Sequence, residues 1–268
     1  MQEIPRPPFD AAIVGYPKCG NTWLQMMVRK ALVLAHGLGD EWIPRVIGPR
    51  ETLPRGVRTI AVTHAMPHYN TQRFDEPFVD LQPFHGRPVV LLVRDAADAL
   101  VSLWMHNVHR ERTPLFTGDV DAMVHDPIYG IDKFLAFHRV WFEHRHAPSS
   151  LLLVRYEDLR RAPHAEVHRL LHFLFGEAAP PGLADEVVAF GAFENMRRLE
   201  DNDHFGLSTL APAPGGEAAR KVRRGEVGGA ARQLRPETLA YIHGRIAVEL
   251  PRWYGYPHAA LAAGPAAR

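Results

Sequence analysis

Four short apolar segments run along the first part of the chain with little polar interruption. They are AAIVGY at 11–16, TIAVTH at 59–64, PVVLLV at 88–93 and SLLLVRY at 150–156. Continuous runs of this kind, rich in branched residues, are typical of strands that are buried on both faces of a sheet. The pattern therefore predicts four strands of a parallel sheet.

Elsewhere, apolar residues recur every three or four positions, which is the spacing of a helix with one buried face. This spacing predicts helices from Asn21 to about His36, from Ala97 to about His109, over 131–145 and from Pro163 through Phe175. Buried strands that alternate with helices favour a parallel sheet covered on both sides. The predicted fold class is α/β, with three α/β/α layers around a central parallel sheet.

Polar residues follow the carboxyl ends of all four predicted strands. GYPKCGNTW, residues 15–23 and here called the early loop, follows the first strand, and His64, Arg94 and Tyr156 end the other three. Ligands of parallel sheets bind at this edge. We therefore expect the four positions to converge on one crevice.

Two long stretches, 111–130 and 200–222, lack a clear period. Such segments in compact proteins are usually lids or disordered, and we expect lids over a bound acceptor. The apolar side chains they would contribute include Phe116, Tyr129, Phe205 and Leu207. The chain end, about 257–268, is predicted to be a flexible tail. A length of 268 residues with 46% hydrophobic suits one large domain or two small ones, and we expect a single domain over 1–268.

Composition bears on where the protein works and on its partners. A single cysteine excludes an internal disulfide and fits a reducing compartment. The start, MQEIPRPPFD, lacks a secretory signal pattern, and no apolar run approaches the ~20 residues of a membrane helix. We expect a soluble cytoplasmic protein with no membrane partner. The formal net charge of +1 gives no general field for nucleic acid, and the arginine- and alanine-rich usage suggests a high-GC bacterial source.

The early loop nearly matches a phosphate-binding loop, but its lysine is displaced. Gly15, Gly20 and Thr22 fit the pattern G-x-x-x-x-G-K-[ST]. Asn21 stands where the lysine belongs, and Lys18 lies inside the turn. Amides of such a P-loop-like turn at a helix N-terminus can still cradle anionic oxygens. Of the 31 basic residues, 27 are arginines and four are lysines, so a lysine here indicates that a compact point charge is needed.

Four motifs together resemble the sulfotransferases that use 3'-phosphoadenosine 5'-phosphosulfate (PAPS). YPKCGNTW, residues 16–23, resembles that family's 5'-phosphosulfate loop, usually Y-P-K-[SA]-G-[TN]-T-W. VRDAADALVS, residues 93–102, resembles its 3'-phosphate segment, an arginine followed eight residues later by a serine. RYEDL at 155–159 and RRGEVG at 223–228 are similar to its Y-E-D-[LM] and R-K-G-x-x-G motifs. The resemblance covers about residues 10–256, and the joint spacing is more specific than any one motif.

The resemblance implies transfer of a sulfuryl group from PAPS to a hydroxyl or amine of a small-molecule acceptor. The product nucleotide would be adenosine 3',5'-bisphosphate (PAP), and no metal is implied. Catalytic roles fall to Lys18, His64 and Ser102, with His64 as the general base. The family's K-T-H segment has a lysine where this chain has Val62. Another cation would therefore have to serve, or turnover would be slower. Related carbohydrate enzymes also use Asp or Glu bases.

The resemblance also implies a set of donor-binding residues. The 5'-phosphosulfate would bind the early loop through Lys18, Cys19, Gly20, Asn21, Thr22 and Trp23. The 3'-phosphate would bind Arg94, Ser102, Arg223, Arg224 and Gly225. The adenine would lie against Trp23, Tyr156 and Phe193.

Three departures from the family pattern affect these expectations. Arg224 replaces the usual lysine and keeps the charge. Cys19 stands where serine or alanine is common. We interpret it as a small residue that fits the turn. The alternative is a reactive thiol whose pKa is lowered by Lys18 and the helix N-terminus. Residues 229–231 are GAA where the family often has D-W-K. The late loop, defined here as residues 220–230, is therefore predicted to be less ordered.

Two other functions stay open from the sequence. A phosphate-loop kinase would need a lysine at position 21, where this chain has Asn21. It would also need an acidic residue to bind magnesium, for which Asp95 is a candidate. A non-catalytic nucleotide-binding homologue is favoured by Val62 and disfavoured by the intact Lys18 and His64. The family's C-terminal dimer motif is not recognisable, so the oligomeric state is open.

Overall fold

The computed structural model of the protein describes residues 9–176, 180–213 and 216–257. Most of the predicted tail, and residues 214 and 215 of the predicted second lid, lie outside these ranges. Within them the strands are β1 Ala11–Gly15, β2 Ile60–Thr63, β3 Pro88–Val93 and β4 Ser150–Arg155. The α-helices are α1 Asn21–Ala35, α2 Ala96–Met105, α3 Val120–Val124, α4 Ile131–Glu143, α5 Tyr156–Arg161, α6 Pro163–Phe175, α7 Leu183–Phe190, α8 Phe193–Asp201 and α9 Pro236–Glu249.

The four strands form one parallel sheet in the order β2-β1-β3-β4. In its register Ala11 pairs with Ile60, and Val93 pairs with Arg155. Every residue of the central strand β1 is buried, as a run of apolar residues without alternation requires. The predicted α/β class with a central parallel sheet is confirmed, and no strand end differs from its predicted position by more than one residue.

The helices pack in two groups around this sheet. In one group α7 contacts both α1 and α6, and in the other α9 contacts α2, α3 and α4. The core beside β1 contains large aromatic side chains, among them Tyr16, Phe134, Phe137 and Trp141, all fully buried. Tyr16 meets Phe134 edge-on, with ring centroids 5.1 Å apart. This packing fixes the chain immediately before the early loop.

Because all four strands run in the same direction, their carboxyl ends lie at one edge of the sheet. The early loop joins β1 to α1, and only Arg94 and Asp95 separate β3 from α2. Asp95 begins α2, since its side chain accepts a hydrogen bond from the Asp98 amide at 3.0 Å. Short connections of this kind hold polar side chains close to the sheet edge.

The stretch 111–130, predicted as a lid without regular structure, contains α3 and packs onto the rest of the protein. Asp119 begins α3 by accepting a hydrogen bond from the Ala122 amide at 2.7 Å. Val120, Met123 and Tyr129 are buried. A helix of five residues is too short to give a visible period. Tertiary burial, rather than local pattern, therefore accounts for it.

Candidate active site

A cavity of about 510 Å³ opens at the carboxyl edge of the sheet. Its walls come from the early loop, the end of β2, helix α2, the start of α8 and the late loop. The predicted site residues that line it are Lys18, Gly20, Asn21, Thr22, Trp23, His64, Arg94, Ser102, Tyr156, Phe193, Arg223, Arg224 and Gly225. The fold thus brings together residues that are up to two hundred positions apart in sequence.

The early loop makes a tight turn through two left-handed residues. Lys18 has φ 70° and Gly20 has φ 102°, a backbone region that residues other than glycine rarely adopt. A Cβ on Gly20 would lie 2.8 Å from Cδ2 of Tyr156. A Cβ on Gly15 would lie 2.5 Å from Oδ1 of Asn21, whose amide donates to the Tyr16 carbonyl at 3.0 Å. The two glycines therefore allow a close approach of backbone and side chains.

The N-terminus of α1 faces the cavity without a competing acceptor of its own. Gly20 is the N-cap, no side chain caps the helix, and the first turn holds no acidic residue. The first amides of a helix carry a partial positive charge and have no partner within the helix. The end of this 15-residue helix can therefore bind an anion.

Cys19 is the one predicted donor-binding residue that does not line the cavity. Its side chain is fully buried, and its amide donates to the Tyr16 carbonyl at 3.3 Å. Burial raises the pKa of the Cys19 thiol, an effect larger than the opposing influence of Arg94. The alternative of a reactive thiol with a lowered pKa is wrong, and Cys19 is a small residue that fits the turn.

His64 follows β2 and presents one ring nitrogen to the cavity. Its Nδ1 lies 2.7 Å from the carbonyl oxygen of Gly15. Because a carbonyl only accepts, Nδ1 carries the proton in the neutral ring, and Nε2 keeps its lone pair. Burial lowers the pKa of His64 to about 4, and the cations Lys221 and Lys18 contribute to this. The imidazole is therefore neutral at pH 7 and able to accept a proton.

Arg94 joins the early loop to the late loop. Its guanidinium lies over the Tyr156 ring at 4.3 Å from the centroid and donates to the carbonyls of Lys18 at 3.1 Å and Glu226 at 3.3 Å. The Arg94 Nε–H is buried without a hydrogen-bond partner among the described residues. A buried donor of this kind is costly unless a ligand satisfies it.

A buried carboxylate on α2 holds the late loop in place. Asp98 is 4% exposed and accepts hydrogen bonds from the amides of Gly228 at 2.8 Å and Ala230 at 2.9 Å. Its Oδ2 also lies 3.8 Å from a terminal nitrogen of Arg94. These contacts from a distant helix support the backbone just before and within the sequence GAA at 229–231, where the local sequence predicts a less ordered loop.

Aromatic rings gather on one side of the cavity. Trp23 meets Tyr156 edge-on with centroids 5.6 Å apart and donates its Nε1–H to the Gly191 carbonyl at 2.7 Å. Gly225 lies so close to Phe193 that an added Cβ would be 2.9 Å from the ring carbon Cδ2. Flat apolar surfaces of this kind suit a heteroaromatic ring.

Sequence reasoning missed several residues that line the cavity. They are His106, Arg110, Glu111 and Lys221, together with the buried Glu200 behind them. A π-helical turn from His106 to Arg110 continues α2. Such turns are common at functional sites. No motif marks these positions. The only hint in the sequence is the basic run around Lys221, which without its neighbours would be interpreted as a solvated stretch.

His106 and Glu111 form a pair at the end of the cavity nearest His64. His106 Nε2 lies 3.1 Å from Glu111 Oε1. Burial lowers the pKa of His106 to about 2, and the surrounding cations Lys18, Lys221 and Arg110 add to the effect. The imidazole is thus neutral, so the contact is a hydrogen bond rather than an ion pair.

The apolar residues expected from the two lids are not part of this cavity. Phe116, Phe205 and Leu207 pack against the core, and Tyr129 is buried within it. The apolar wall beside His64 instead comes from Val62, Tyr69, Val101, Leu103 and Met105. The stretch 111–130 is drawn into the core by burial of its own side chains, which removes them from the cavity.

Asp95 does not provide the magnesium ligand that a kinase would need. Its carboxylate caps α2, its amide donates to Glu157 at 2.8 Å, and its side chain is not among those lining the cavity. Within the described residues, no group of three His, Cys, Asp or Glu side chains could hold a metal ion. No helix in the same ranges is long and apolar enough to cross a membrane.

Comparison with known proteins identifies the class of protein. A family model described as "Sulfotransferase domain" matches residues 8–253, and the chain belongs to this family of PAPS-dependent sulfotransferase enzymes. Cytosolic sulfotransferase 16 of Arabidopsis thaliana is 27% identical over 262 residues, covering 89% of this chain and 75% of that protein. Flavonol 4'-sulfotransferase of Flaveria chlorifolia is 23% identical and covers 84% of this chain and 75% of that protein.

Solved structures agree on the fold. Mouse sulfotransferase SULT7A1 complexed with PAP superposes with a TM-score of 0.58 at 18% identity, covering 90% of this chain and 84% of that one. Retinol dehydratase in a complex with retinol and PAP superposes with a TM-score of 0.61 at 15% identity, covering 90% of this chain and 80% of that one. The resemblance recognised from the four motifs is confirmed at the level of family and fold.

Proposed function

We propose that this enzyme transfers the sulfuryl group of PAPS to a hydroxyl or amine of a small-molecule acceptor, with His64 as general base. One observation carries the proposal. A single cavity holds both an anion-binding helix N-terminus with Lys18 and, on the neighbouring strand end, a neutral imidazole with a free Nε2. An in-line transfer needs an anion site and a base on opposite sides of the reacting atom.

The cavity suits the charges and shape of PAPS. Lys18 and the first amides of α1 would hold the 5'-phosphosulfate. Arg94, Ser102, Arg223, Arg224 and the Gly225 amide would hold the 3'-phosphate, and the unpartnered Arg94 Nε–H supports a missing acceptor there. Trp23, Tyr156 and Phe193 would enclose the adenine. Both mouse SULT7A1 and retinol dehydratase were solved with PAP, which supports the same nucleotide for this chain.

In the proposed step, the acceptor oxygen or nitrogen attacks sulfur while the bond from sulfur to the 5'-phosphate oxygen breaks. The acceptor proton passes to Nε2 of His64, and the electron pair of the broken bond stays on the 5'-phosphate of PAP. Lys18 stabilises the negative charge that grows on that leaving oxygen. Because Nδ1 of His64 donates to the Gly15 carbonyl, the same carbonyl would stabilise the imidazolium that forms.

The acceptor would bind beside His64, against the apolar wall that includes Val62, Tyr69 and Met105. Among the relatives, one is named for a flavonol and two structures contain retinol or androsterone. These are flat or elongated apolar alcohols and phenols, and we propose an acceptor of this kind. We further propose one catalytic domain over the chain and, from relatives named as cytosolic, a cytoplasmic location.

Calorimetric titration with PAP, ADP and magnesium-ATP tests the donor. We expect tight binding of PAP without metal and much weaker binding of the other two, because only PAP has the 3'-phosphate that Arg94 and Arg223 would hold. A preference for magnesium-ATP would contradict the proposal and favour a kinase.

The base is tested by His64→Ala in an acceptor screen of phenols and steroid alcohols. We expect transfer to be abolished and PAP affinity to stay nearly unchanged, since His64 would contact the acceptor and not the nucleotide. His64→Ala with normal turnover would mean that another group, such as the His106 and Glu111 pair, removes the proton. Loss of PAP binding as well would indicate misfolding instead.

A further inference from the structure

Two of the four lysines in this arginine-rich chain meet in the cavity. Lys30 forms an ion pair with Asp40 at 2.7 Å, and Lys133 donates to backbone carbonyls of the segment before β3. Lys18 and Lys221, by contrast, both line the cavity, and each contributes to the pKa of the other. They come from sequence positions about two hundred residues apart.

The positive charge of this pair is only partly compensated by the described residues. Burial lowers the pKa of Lys18, and the charged groups with the largest influence on it are the cations Lys221, Arg110, Arg94 and Arg223. Burial likewise lowers the pKa of Lys221 to about 8; Arg110 adds to this effect, and Glu111 and Glu200 partly oppose it. Two ammonium groups held together at low solvent exposure are unfavourable without a counter-ion, so the pair is suited to a ligand with more than one negative charge.

The carboxylates nearest Lys221 are already occupied. Glu200 accepts hydrogen bonds from the backbone amides of Lys221 at 2.7 Å and Val222 at 2.8 Å and pairs with Arg110 at 3.3 Å. Glu111 contacts His106. Glu200 thus fixes the backbone of Lys221 and offsets only part of its side-chain charge, so the ammonium remains suited to a ligand anion in the cavity.

Lys221 also acts on the acceptor side of the cavity. It lines the same cavity as His64 and His106, and its charge contributes to lowering the pKa of both. The strand that ends in His64 offers no cation of its own, since Val62 stands two residues earlier. Lys221 reaches the same region from the late loop.

We propose that Lys221 is a second catalytic cation whose Nζ donates to a non-bridging oxygen of the sulfuryl group as that group passes from the 5'-phosphate to the acceptor. The inference rests on the proposed function. Lys18 would stabilise the leaving oxygen, and Lys221 the oxygens of the transferring group. Bonds made and broken are those of the transfer step already described, and Lys221 stays protonated throughout.

The experiment compares PAPS with PAP by calorimetry, without acceptor, in Lys221→Met and Lys221→Arg. PAP lacks the sulfuryl group, so Lys221→Met should weaken PAPS binding at least tenfold and PAP binding less than about threefold. Turnover with an acceptor from the screen should fall by ~10²–10³, the scale for one lost charge contact in a transition state. Lys221→Arg keeps the charge and should recover part of both losses.

Two control variants separate this role from general effects of charge. Arg223→Met should weaken PAPS and PAP alike, because the 3'-phosphate is common to both. Lys30→Met removes a lysine on α1 that is paired with Asp40, and should leave both affinities and turnover unchanged. Melting temperatures near the wild-type value would show that the variants fold.

Equal weakening of PAPS and PAP in Lys221→Met would overturn the inference, since Lys221 would then bind a phosphate. Wild-type affinity and turnover in that variant would also overturn it while leaving the proposed function intact. A wild-type enzyme that binds neither nucleotide would overturn the proposed function itself. If Lys221→Met does not fold, Lys221→Arg decides, because a changed PAPS-to-PAP affinity ratio supports a sulfuryl contact and an unchanged ratio contradicts it.

Discussion

The early and late loops both present cations to one cavity, but they are held by different means. The early loop depends largely on its own residues, through the positive φ angles of Lys18 and Gly20 and the hydrogen bond from Asn21 to Tyr16. The late loop depends on carboxylates far away in sequence, Asp98 on α2 and Glu200 on α8. Both loops carry a motif, but only the early loop also shows its structural determinants in the local sequence; the carboxylates that support the late loop are distant.

The two loops should also differ in which step of the reaction they affect. In the proposed reaction, early-loop residues would lie at the junction between donor and acceptor, where charge develops during transfer. Late-loop residues other than Lys221 lie toward the predicted 3'-phosphate site, where charge is constant. Damage to the early loop should therefore reduce turnover more than affinity, and damage to the supports of the late loop should do the reverse.

The largest effect is expected for Lys18→Ala. Loss of a transition-state charge contact should cut turnover by ~10²–10³ and weaken PAP binding less. Steady-state kinetics at saturating PAPS, beside PAP calorimetry, measures both. Lys30→Ala, on the helix that follows the early loop, is the control. Near-normal turnover in Lys18→Ala would remove Lys18 from the mechanism.

Asp98→Ala should act in the opposite way. Its removal leaves the Gly228 and Ala230 amides without their acceptor, at a cost of about 1–3 kcal/mol for the buried Ala230 amide, and frees the loop that carries Arg223. PAP affinity should fall roughly tenfold or more, about 1.4 kcal/mol or above, while turnover at saturating donor falls less than in Lys18→Ala. A turnover defect as large as that of Lys18→Ala, with normal PAP affinity, would contradict the division between the loops.

A glycine pair tests the contact between the late loop and the aromatic wall. Gly225 and Gly228 both have positive φ, 63° and 76°, but only a Cβ on Gly225 would strike Phe193, at 2.9 Å. Alanine at either position should cost about 1–2 kcal/mol of stability. Only Gly225→Ala should also weaken PAP binding several-fold, because it displaces a predicted wall of the adenine site. Equal PAP affinities in the two variants would place the adenine elsewhere.

The smallest effect concerns the pH dependence of the base. Because the pKa of His64 is lowered to about 4, the ring stays neutral down to that pH. The acid limb of kcat/KM, which reports the free enzyme, should therefore lie near 4 rather than near 6.5. Lys221→Met removes one of the cations that lower this pKa, so the limb should move to higher pH. A limb near 6.5 in the wild type would argue against His64 in this environment.

Much of the fold and half of the site could be predicted because their determinants are local. The four apolar runs specify the strands, since a continuous run can be buried only between two layers of helices. The early loop, His64 and Arg94 follow strand ends, where a parallel sheet gathers its polar residues. In contrast, α3 in the stretch 111–130 has no visible period and forms only because Val120, Met123 and Tyr129 find a core to enter.

By itself, the sequence determined the α/β class, the early loop and the family, because periodicity and short-range spacing are properties of neighbouring residues. Only the tertiary structure decided that Cys19 is buried, that Asp98 and Glu200 fix the late loop, and that Lys221 meets Lys18. Each of these depends on groups roughly twenty to two hundred positions apart coming within a few ångströms of each other. Desolvation and charge interactions act over such distances in space, and the order of residues along the chain does not encode them directly.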